Sequence, residues 1–152
     1  MSNHLQVESV LTENEEENCI SIFRSVMRAH HSLHTLGSSI AADFSLHIAE
    51  LNVIDMLGKL GPITMGELSR ATFISPSNTT HTVKKLETSG LVARQRSVAS
   101  ERKVEVSLTT KGAQLFKTCY PRILTTVEHL LEQRLSASER TTLARLLNKL
   151  SG

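Results

Sequence analysis

Residues 75–87 combine short hydrogen-bonding side chains with lysines at helical spacing. Ser75-Pro76 marks a helix start, because Ser is a favoured N-cap and Pro suits the first helical position. The side of this helix that must face inward carries Thr79, Thr82, Val83 and Leu86. The opposite side carries Ser77, Asn78, Thr80, His81, Lys84 and Lys85. Hydroxyl and amide groups bond to base edges of duplex DNA and lysines bond to its phosphates, so this face predicts contact with DNA.

A basic segment directly follows this helix. Six bases and two acids lie from Lys84 to Lys103, although the net charge of the whole chain is only +2. A local excess of positive charge in a near-neutral chain is typical of a surface that meets phosphate. We therefore expect Lys84, Lys85, Arg94 and Arg96 to touch phosphates, while the polar groups at the start of the helix read bases.

Capping and turn signals place these residues in a helix, a tight turn, a second helix and a hairpin. Thr64-Met65-Gly66-Glu67 fits a capping box that begins a short helix, and Thr72-Phe73-Ile74 is a tight connection. Ser89-Gly90 ends the second helix, because Gly accepts the left-handed cap. Two strands are then predicted, Leu91–Arg96 and Lys103–Leu108, with a polar tip between them.

Apolar helices are predicted on both sides of this module. Residues 1–14 are polar and without periodicity, which indicates a flexible arm. A helix is expected from Glu15 to near Gly37, followed by a loop to Ser45. Thr109 caps a long helix, and a capping box at Ser136 begins a last helix. That last helix is expected to bury Leu143, Leu146, Leu147 and Leu150.

The predicted fold is mainly α with a small β-hairpin wing. A winged helix-turn-helix core covers 46–112, with dimerisation helices at 15–45 and 113–152. The flanking helices carry more apolar surface than the small core can cover, which predicts a homodimer.

The central stretch resembles the MarR family of bacterial and archaeal regulators. The matching residues are Leu51-x-Val53-x-x-x-Leu57, Gly61-Pro62-Ile63-Thr64, Glu67-Leu68, Ile74-Ser75-Pro76-Ser77-x-x-Thr80, Val83-Lys84-Lys85-Leu86-Glu87-x-x-Gly90-Leu91-Val92-x-Arg94 and Val106-Ser107-Leu108-Thr109-x-Lys111-Gly112. The resemblance covers about residues 15–150. It implies a transcriptional regulator, by expectation a repressor. Such a regulator binds a pseudo-palindromic operator in double-stranded DNA as a dimer and is often released by a small aromatic or phenolic effector.

The sequence departs from the family pattern at the wing tip, at His81, and at Thr79 and Thr82, which stand at commonly apolar positions. The wing tip, which usually reads Asp-x-Arg, is Ser100-Glu101-Arg102 here. The resemblance implies that Arg102 enters the minor groove, with Glu101 as a substitute brace for the wing. His81 stands where many members carry Arg, so the base preference is expected to differ.

The clustered histidines of the first helix leave three interpretations open. His30 and His34 share a helix face at i, i+4, beside His31, and that spacing suits zinc. No HExxH or CxxC motif accompanies it, so we predict no metal and no cofactor. The pair is expected to pack at an interface or to bind an effector in a pocket between the first helix, the second helix and the start of the long helix.

Other function classes find less support. No nucleophile-elbow, phosphate-loop or dinucleotide motif appears, so an enzyme is not expected. The alternatives kept open are a winged-helix protein-interaction module and a redox- or metal-responsive regulator. Cys19 does not fall where the hydroperoxide-sensing branch of the family has its cysteine, near Phe23, and Cys119 is expected to be a small buried side chain. With no apolar run of membrane-spanning length and no secretory signal, we expect a cytoplasmic protein that makes no membrane contact.

Overall fold

The computed structural model of the chain describes residues 13–97 and 100–152, with side chains described over 14–96 and 103–152. The chain divides into two compact units, residues 1–37 and 38–152. The elements in chain order are α1 (Glu13–Asp43), α2 (Ile48–Leu60), β1 (Ile63–Thr64), α3 (Met65–Thr72), α4 (Pro76–Thr88), β2 (Val92–Ser97), β3 (Ser100–Leu108), α5 (Thr110–Glu132) and α6 (Ala137–Ser151). Most of the predicted flexible arm, residues 1–12, lies outside the described residues.

The first helix is longer than the sequence pattern predicts. A loop over 37–45 was expected, yet α1 continues through Gly37 to Asp43, so that prediction is wrong. A glycine inside a helix costs only about 1 kcal/mol relative to Ala, and burial of apolar residues outweighs that cost. Ile40 and Ala41, both within the predicted loop, are buried.

Helix α1 ends at Asp43, and the left-handed residue that closes it, Ser45, is not glycine. Ser45 has a φ of 58°. Its N–H donates to Ala42 O at 3.0 Å, and the Leu46 N–H donates to Ala41 O at 2.9 Å. This pair of bonds is the Schellman arrangement, which satisfies the last carbonyls of a helix. The usual glycine signal is absent from the sequence at this end, which explains why the end was misplaced.

The small sheet has three strands where two were predicted. Both predicted strands are present as β2 and β3, although β3 begins at Ser100 rather than at Lys103, and β1 adds to the other edge of β3, giving the order β1-β3-β2. Ile63 pairs with Val106, and Thr64 pairs with Glu105, both antiparallel. A two-residue strand carries no detectable alternation, so only its position before the α3 cap could have indicated it.

The core of the second unit lies between α2, α3, α4 and the sheet. Its fully buried side chains include Val53, Ile54, Leu68, Val83, Leu86 and Val106. These residues fall on the inward faces that helical and strand spacing predict. Burying them stabilises the fold by about 1.5–3 kcal/mol for each large side chain. Helix α4 therefore rests on a fixed support.

The outer helices keep apolar side chains exposed within one chain. Leu143, Leu146, Leu147 and Leu150 of α6 are 40% to 68% exposed in a single chain, as expected if only a second copy covers them. On α1, Ile20, Phe23 and Met27 are about half exposed or more. Isolated exposed leucines are common, but a continuous stripe of four on one helix indicates a surface that a partner covers.

Candidate nucleic-acid interface

Helix α4 presents the two faces that its sequence predicts. Thr79, Thr82, Val83 and Leu86 are buried. The side chains of Ser77, Asn78, Thr80, His81, Lys84 and Lys85 are all exposed. The buried hydroxyl of Thr79 is satisfied, because it donates to Ser75 O at 3.0 Å. The polar face therefore belongs to a helix with a well-satisfied inner side.

The start of α4 is fixed by a cap. Ser75 Oγ accepts the N–H of Asn78 at 3.4 Å, and Pro76 occupies the first turn, as predicted. The Thr80 hydroxyl donates to Pro76 O at 2.9 Å. Its oxygen keeps acceptor capacity on the exposed face, so in this rotamer Thr80 is suited to accept a hydrogen bond from a base.

The end of α4 is tied to the start of α5. Gly90, at φ 70°, donates its N–H to Glu87 O at 2.9 Å, which confirms the predicted left-handed cap. The Lys111 ammonium donates to Ser89 O at 2.8 Å, where the negative end of the helix dipole favours a cation. The Thr109 hydroxyl donates to Gly90 O at 2.7 Å. These bonds hold the exposed face of α4 in a constant orientation.

The wing, formed by β2 and β3 with their connection, lies beside α4. Arg94 pairs with Val106 and Arg96 pairs with Val104 in the strand register, so both arginines share one face of the wing. Arg94 Nε lies 3.3 Å from Glu87 Oε2 of α4. This ion pair places the arginine-bearing face toward the last turn of α4. Of the two predicted phosphate-binding groups on β2, Arg94 thus contacts α4, and Arg96 lies on the same face of the wing two residues nearer its tip.

The wing tip interrupts the regular pairing. Ser97 pairs with Ser100, whereas the preceding Arg96 pairs with Val104, so residues 101–103 form extra length on β3. Arg102 belongs to this stretch by its backbone position. Its side chain, like those of Ser100 and Glu101, lies outside the described side chains, and its minor-groove role remains a prediction.

The connection between α3 and α4 contains Phe73, whose conformation and exposure the sequence does not predict. Phe73 ends α3 in the left-handed region, at φ 55° and ψ 27°. Its side chain is 96% exposed. An aromatic side chain is normally buried, and a left-handed conformation normally selects Gly or Asn. Only the length of the predicted turn could have suggested this conformation.

The histidines and cysteines occupy other parts of the chain. His30 and His34 are exposed, and their ring centroids are 6.1 Å apart, which confirms that they share a helix face. Within residues 13–97 and 100–152, no group of three or more His, Cys, Asp or Glu side chains is arranged to hold a metal ion. Cys19 is exposed, whereas Cys119 is buried as predicted, and burial raises the pKa of the Cys119 thiol. None of the helices in the described part of the chain could span a membrane.

The capped α3, the tight turn, the polar face of α4 and the basic wing define a winged helix-turn-helix protein. A family model for the MarR family matches residues 44–103. The chain is 28% identical over 113 residues to the HTH-type transcriptional repressor Rv2887 of Mycobacterium tuberculosis, covering 74% of this chain and 81% of that protein.

Solved structures share the fold. A mutant of MarR from E. coli complexed with operator DNA aligns with a TM-score of 0.77 at 24% identity, covering 88% of this chain and 95% of that one. BpsR of Bordetella bronchiseptica, whose DNA binding is regulated by 6-hydroxynicotinic acid, aligns with a TM-score of 0.76 at 23% identity, covering 87% and 99%. The match over residues 44–103 and the shared fold make this chain similar to the MarR family of winged helix-turn-helix regulators.

Proposed function

We propose that this protein is a sequence-specific regulator of transcription that binds double-stranded DNA through α4 and the wing. The observation that carries the proposal is the exposed polar face of α4, set beside Arg94 and Arg96 on a fixed support. In a helix-turn-helix, the second helix lies in the major groove with its N-terminal residues against the bases. A MarR-type relative complexed with operator DNA supports the same use of this fold.

Each exposed residue has a role that its chemistry suits. Near the start of α4, Ser77, Asn78, Thr80 and His81 contact base edges. Phosphate contacts come from Lys84 and Lys85 on α4 and from Arg94 and Arg96 on the wing. Arg102 extends from the wing tip into the adjacent minor groove, where a narrow A·T-rich groove favours arginine.

The regulator acts as a homodimer on a pseudo-palindromic operator. The exposed apolar residues of α1 and α6 are the surfaces that a second copy covers. A two-fold dimer of this motif reads half-sites about 34 Å apart, which is one turn of DNA. We infer repression rather than activation, because the relative Rv2887 is a transcriptional repressor.

The salt dependence of DNA binding tests the proposal. Replacing Lys84 with Ala is expected to weaken binding to all sequences about equally and to lower the slope of log K against log salt by about 1. The matched control is Lys117→Ala, which removes an exposed lysine from α5. If both variants bind DNA as the wild type does, α4 is not the DNA-binding element, and a winged helix used for protein contact becomes the better interpretation.

A small aromatic or phenolic effector is the second part of the proposal. The shared fold with BpsR supports it, since that protein responds to 6-hydroxynicotinic acid. His30 and His34 are the polar groups that we assign to effector binding, because neutral imidazole and imidazolium both bond to an anionic aromatic ligand. Thermal-shift screening against aromatic acids identifies the effector, since a ligand bound only by the folded state raises the melting temperature.

The histidine assignment has its own test. We expect the double variant His30→Gln with His34→Gln to keep DNA binding and to need more of the identified effector for release. The surface-matched control is His129→Gln on α5, which removes an exposed imidazole from another helix. If the double variant released DNA at the same effector concentration as the wild type, the effector would bind at a site other than His30 and His34.

A further inference from the structure

Phe73 has a conformation and an exposure that the folded chain by itself does not explain. Among the described residues it is the most exposed of the large apolar side chains, at 96%. Its left-handed backbone is one that Gly adopts without steric penalty and that a bulky residue adopts at a cost. Neither feature contributes to packing. A costly residue without a packing role points to a role in binding.

The connection that carries Phe73 is firmly held on both sides. Thr72 is buried, and its hydroxyl donates to Leu68 O at 2.8 Å. On the other side, the Ser69 hydroxyl donates to Ile74 O at 2.6 Å. The Phe73 N–H donates to Arg70 O at 3.4 Å. Since its neighbours are bonded or buried, the backbone presents the Phe73 ring outward from a fixed point rather than from a loose loop.

The position of Phe73 adjoins the surface assigned to DNA. It lies two residues before Ser75, the N-cap of α4, so their Cα atoms are at most about 7 Å apart. The start of α4 is the part that meets base edges in a helix-turn-helix. An exposed aromatic ring at this point therefore lies at the wall of the major groove when the helix is docked.

We propose that Phe73 is a specificity-determining residue that packs against the C5-methyl group of a thymine at the edge of each half-site. This inference rests on the proposed DNA-binding function. The thymine methyl is the main apolar group that base pairs expose in the major groove, and Phe is among the side chains suited to it. Docking removes both the ring and the methyl from water, which supplies the favourable free energy. Among the α4 residues assigned to base contacts, only Thr80 offers an apolar group of its own, and its single methyl is much smaller than the Phe73 ring.

The first experiment is selection of binding sites from a library of randomised duplexes. The wild type is expected to enrich a pseudo-palindromic site with a thymine at one symmetric position in each half. Phe73→Gly is expected to enrich the same site without preference at that position. Phe73→Leu, which keeps an apolar side chain, retains part of the preference. An identical thymine preference in wild type and Phe73→Gly would overturn the inference.

The second experiment removes only the methyl group. In the selected duplex, that thymine is replaced by deoxyuridine, which keeps the same Watson–Crick pairing. Burial of one methyl-sized group corresponds to about a fourfold change in affinity, so the wild type is expected to bind the uridine duplex about fourfold more weakly for each half-site. Phe73→Gly is expected to bind both duplexes equally. Equal sensitivity in the two proteins would contradict the assigned contact.

Folding stability separates this role from a structural one. Phe73→Gly is expected to unfold at a temperature no lower than the wild type, because Gly populates the left-handed region freely. A clearly lower melting temperature would give the ring a structural role and overturn the inference. Failure of the wild type to enrich any sequence would instead refute the proposed function, so the two outcomes are distinguishable.

Discussion

The Nε atom of Arg94 lies 3.3 Å from Oε2 of Glu87, and this pair joins the wing to the last turn of the recognition helix α4. The two side chains are 35% and 31% exposed, so water screens their attraction. A pair of this kind contributes no more than about 1 kcal/mol to stability. Its larger effect is on charge, because Glu87 neutralises one of the two wing arginines that we propose as phosphate contacts.

Removal of the Glu87 charge is therefore expected to strengthen DNA binding. In Glu87→Gln, the Arg94 guanidinium becomes available to phosphate, and a negative charge disappears from the interface. We expect higher affinity at low salt and a log–log salt slope steeper by about 1, with stability changed by less than about 1 kcal/mol. Fluorescence anisotropy over a salt series measures both quantities.

The matched control for Glu87 is Glu132→Gln. Glu132 also belongs to an exposed ion pair, with Arg140 at 3.4 Å, but it lies at the end of α5. This control is expected to leave the salt slope unchanged. Weaker DNA binding by Glu87→Gln would mean that the ion pair mainly positions the wing rather than neutralising its charge.

The contact between Gly58 and Phe116 predicts a strong effect of a single methyl group. A Cβ atom added at Gly58 of α2 would overlap the ring of Phe116 on α5. Overpacking of this kind costs about 1–3 kcal/mol, so we expect Gly58→Ala to unfold at lower denaturant concentration. In a Phe116→Ala background, which lacks the overlapping ring atoms, Gly58→Ala is expected to cost less stability than it does in the wild type.

Gly66 provides the control for Gly58. It also lies in a helix, α3, and the nearest atom to an added Cβ is Arg70 Nη1 at 3.8 Å. Gly66→Ala is expected to be neutral or to stabilise the fold by up to about 1 kcal/mol through helix propensity. Equal destabilisation by both substitutions would show that the Phe116 ring moves aside and that the overlap has no energetic consequence.

Local hydrogen bonding explains which parts of this fold could be predicted from sequence. The caps at Thr64, Ser75, Thr109 and Ser136 depend on residues at most three positions apart, and all four are present. The two faces of α4 follow from helical spacing alone. By contrast, the continuation of α1 past Gly37 depends on burial of Ile40 and Ala41 by distant residues. Local propensity carries no such information.

The candidate site likewise contains residues that local spacing predicts and residues whose roles depend on distant contacts. The polar residues of α4 were identifiable because their periodicity separates them from the buried side. The Arg94–Glu87 pair was not, since it depends on how the wing folds back against the helix. Phe73 was also missed, because its type predicts burial and only the backbone conformation of the turn exposes it.

The capping box at the start of α3 predicts a pH dependence of stability. The Thr64 hydroxyl, donating to Glu67 Oε2 at 2.6 Å, lowers the pKa of Glu67 from its ordinary 4.5, and the Thr64 N–H at 2.8 Å acts in the same direction. A carboxyl group with a lowered pKa in the folded state stabilises the fold above its unfolded value. That contribution is lost as the pH falls below about 4.5 and through the folded pKa.

The measurement compares the wild type with Glu67→Gln from pH 7 to pH 3. The wild type is expected to be the more stable above pH 5, and the difference is expected to shrink as the pH falls through the window in which Glu67 takes up a proton. Glu128→Gln, on the exposed face of α5, controls for general loss of acidic charge. A difference that stays constant with pH would assign the effect of Glu67 to helix propensity instead of the cap.

The apolar stripe on α6 predicts that a charged substitution within it abolishes dimerisation and DNA binding together. Leu143, Leu146, Leu147 and Leu150 recur at spacings of three and four, so they share one face, and all are exposed in a single chain. We expect Leu147→Glu to place a charge in the covered surface and to convert the dimer to a monomer at micromolar concentration in sedimentation velocity. A monomer engages one half-site only, so affinity for a two-half-site operator is expected to fall steeply.

Asn148→Glu is the control, since at 100° per residue it lies on the opposite side of α6 and adds the same charge. Dissociation by both variants would indicate charge repulsion rather than loss of the stripe, and a Leu147→Glu protein that remained dimeric would assign dimerisation to another surface.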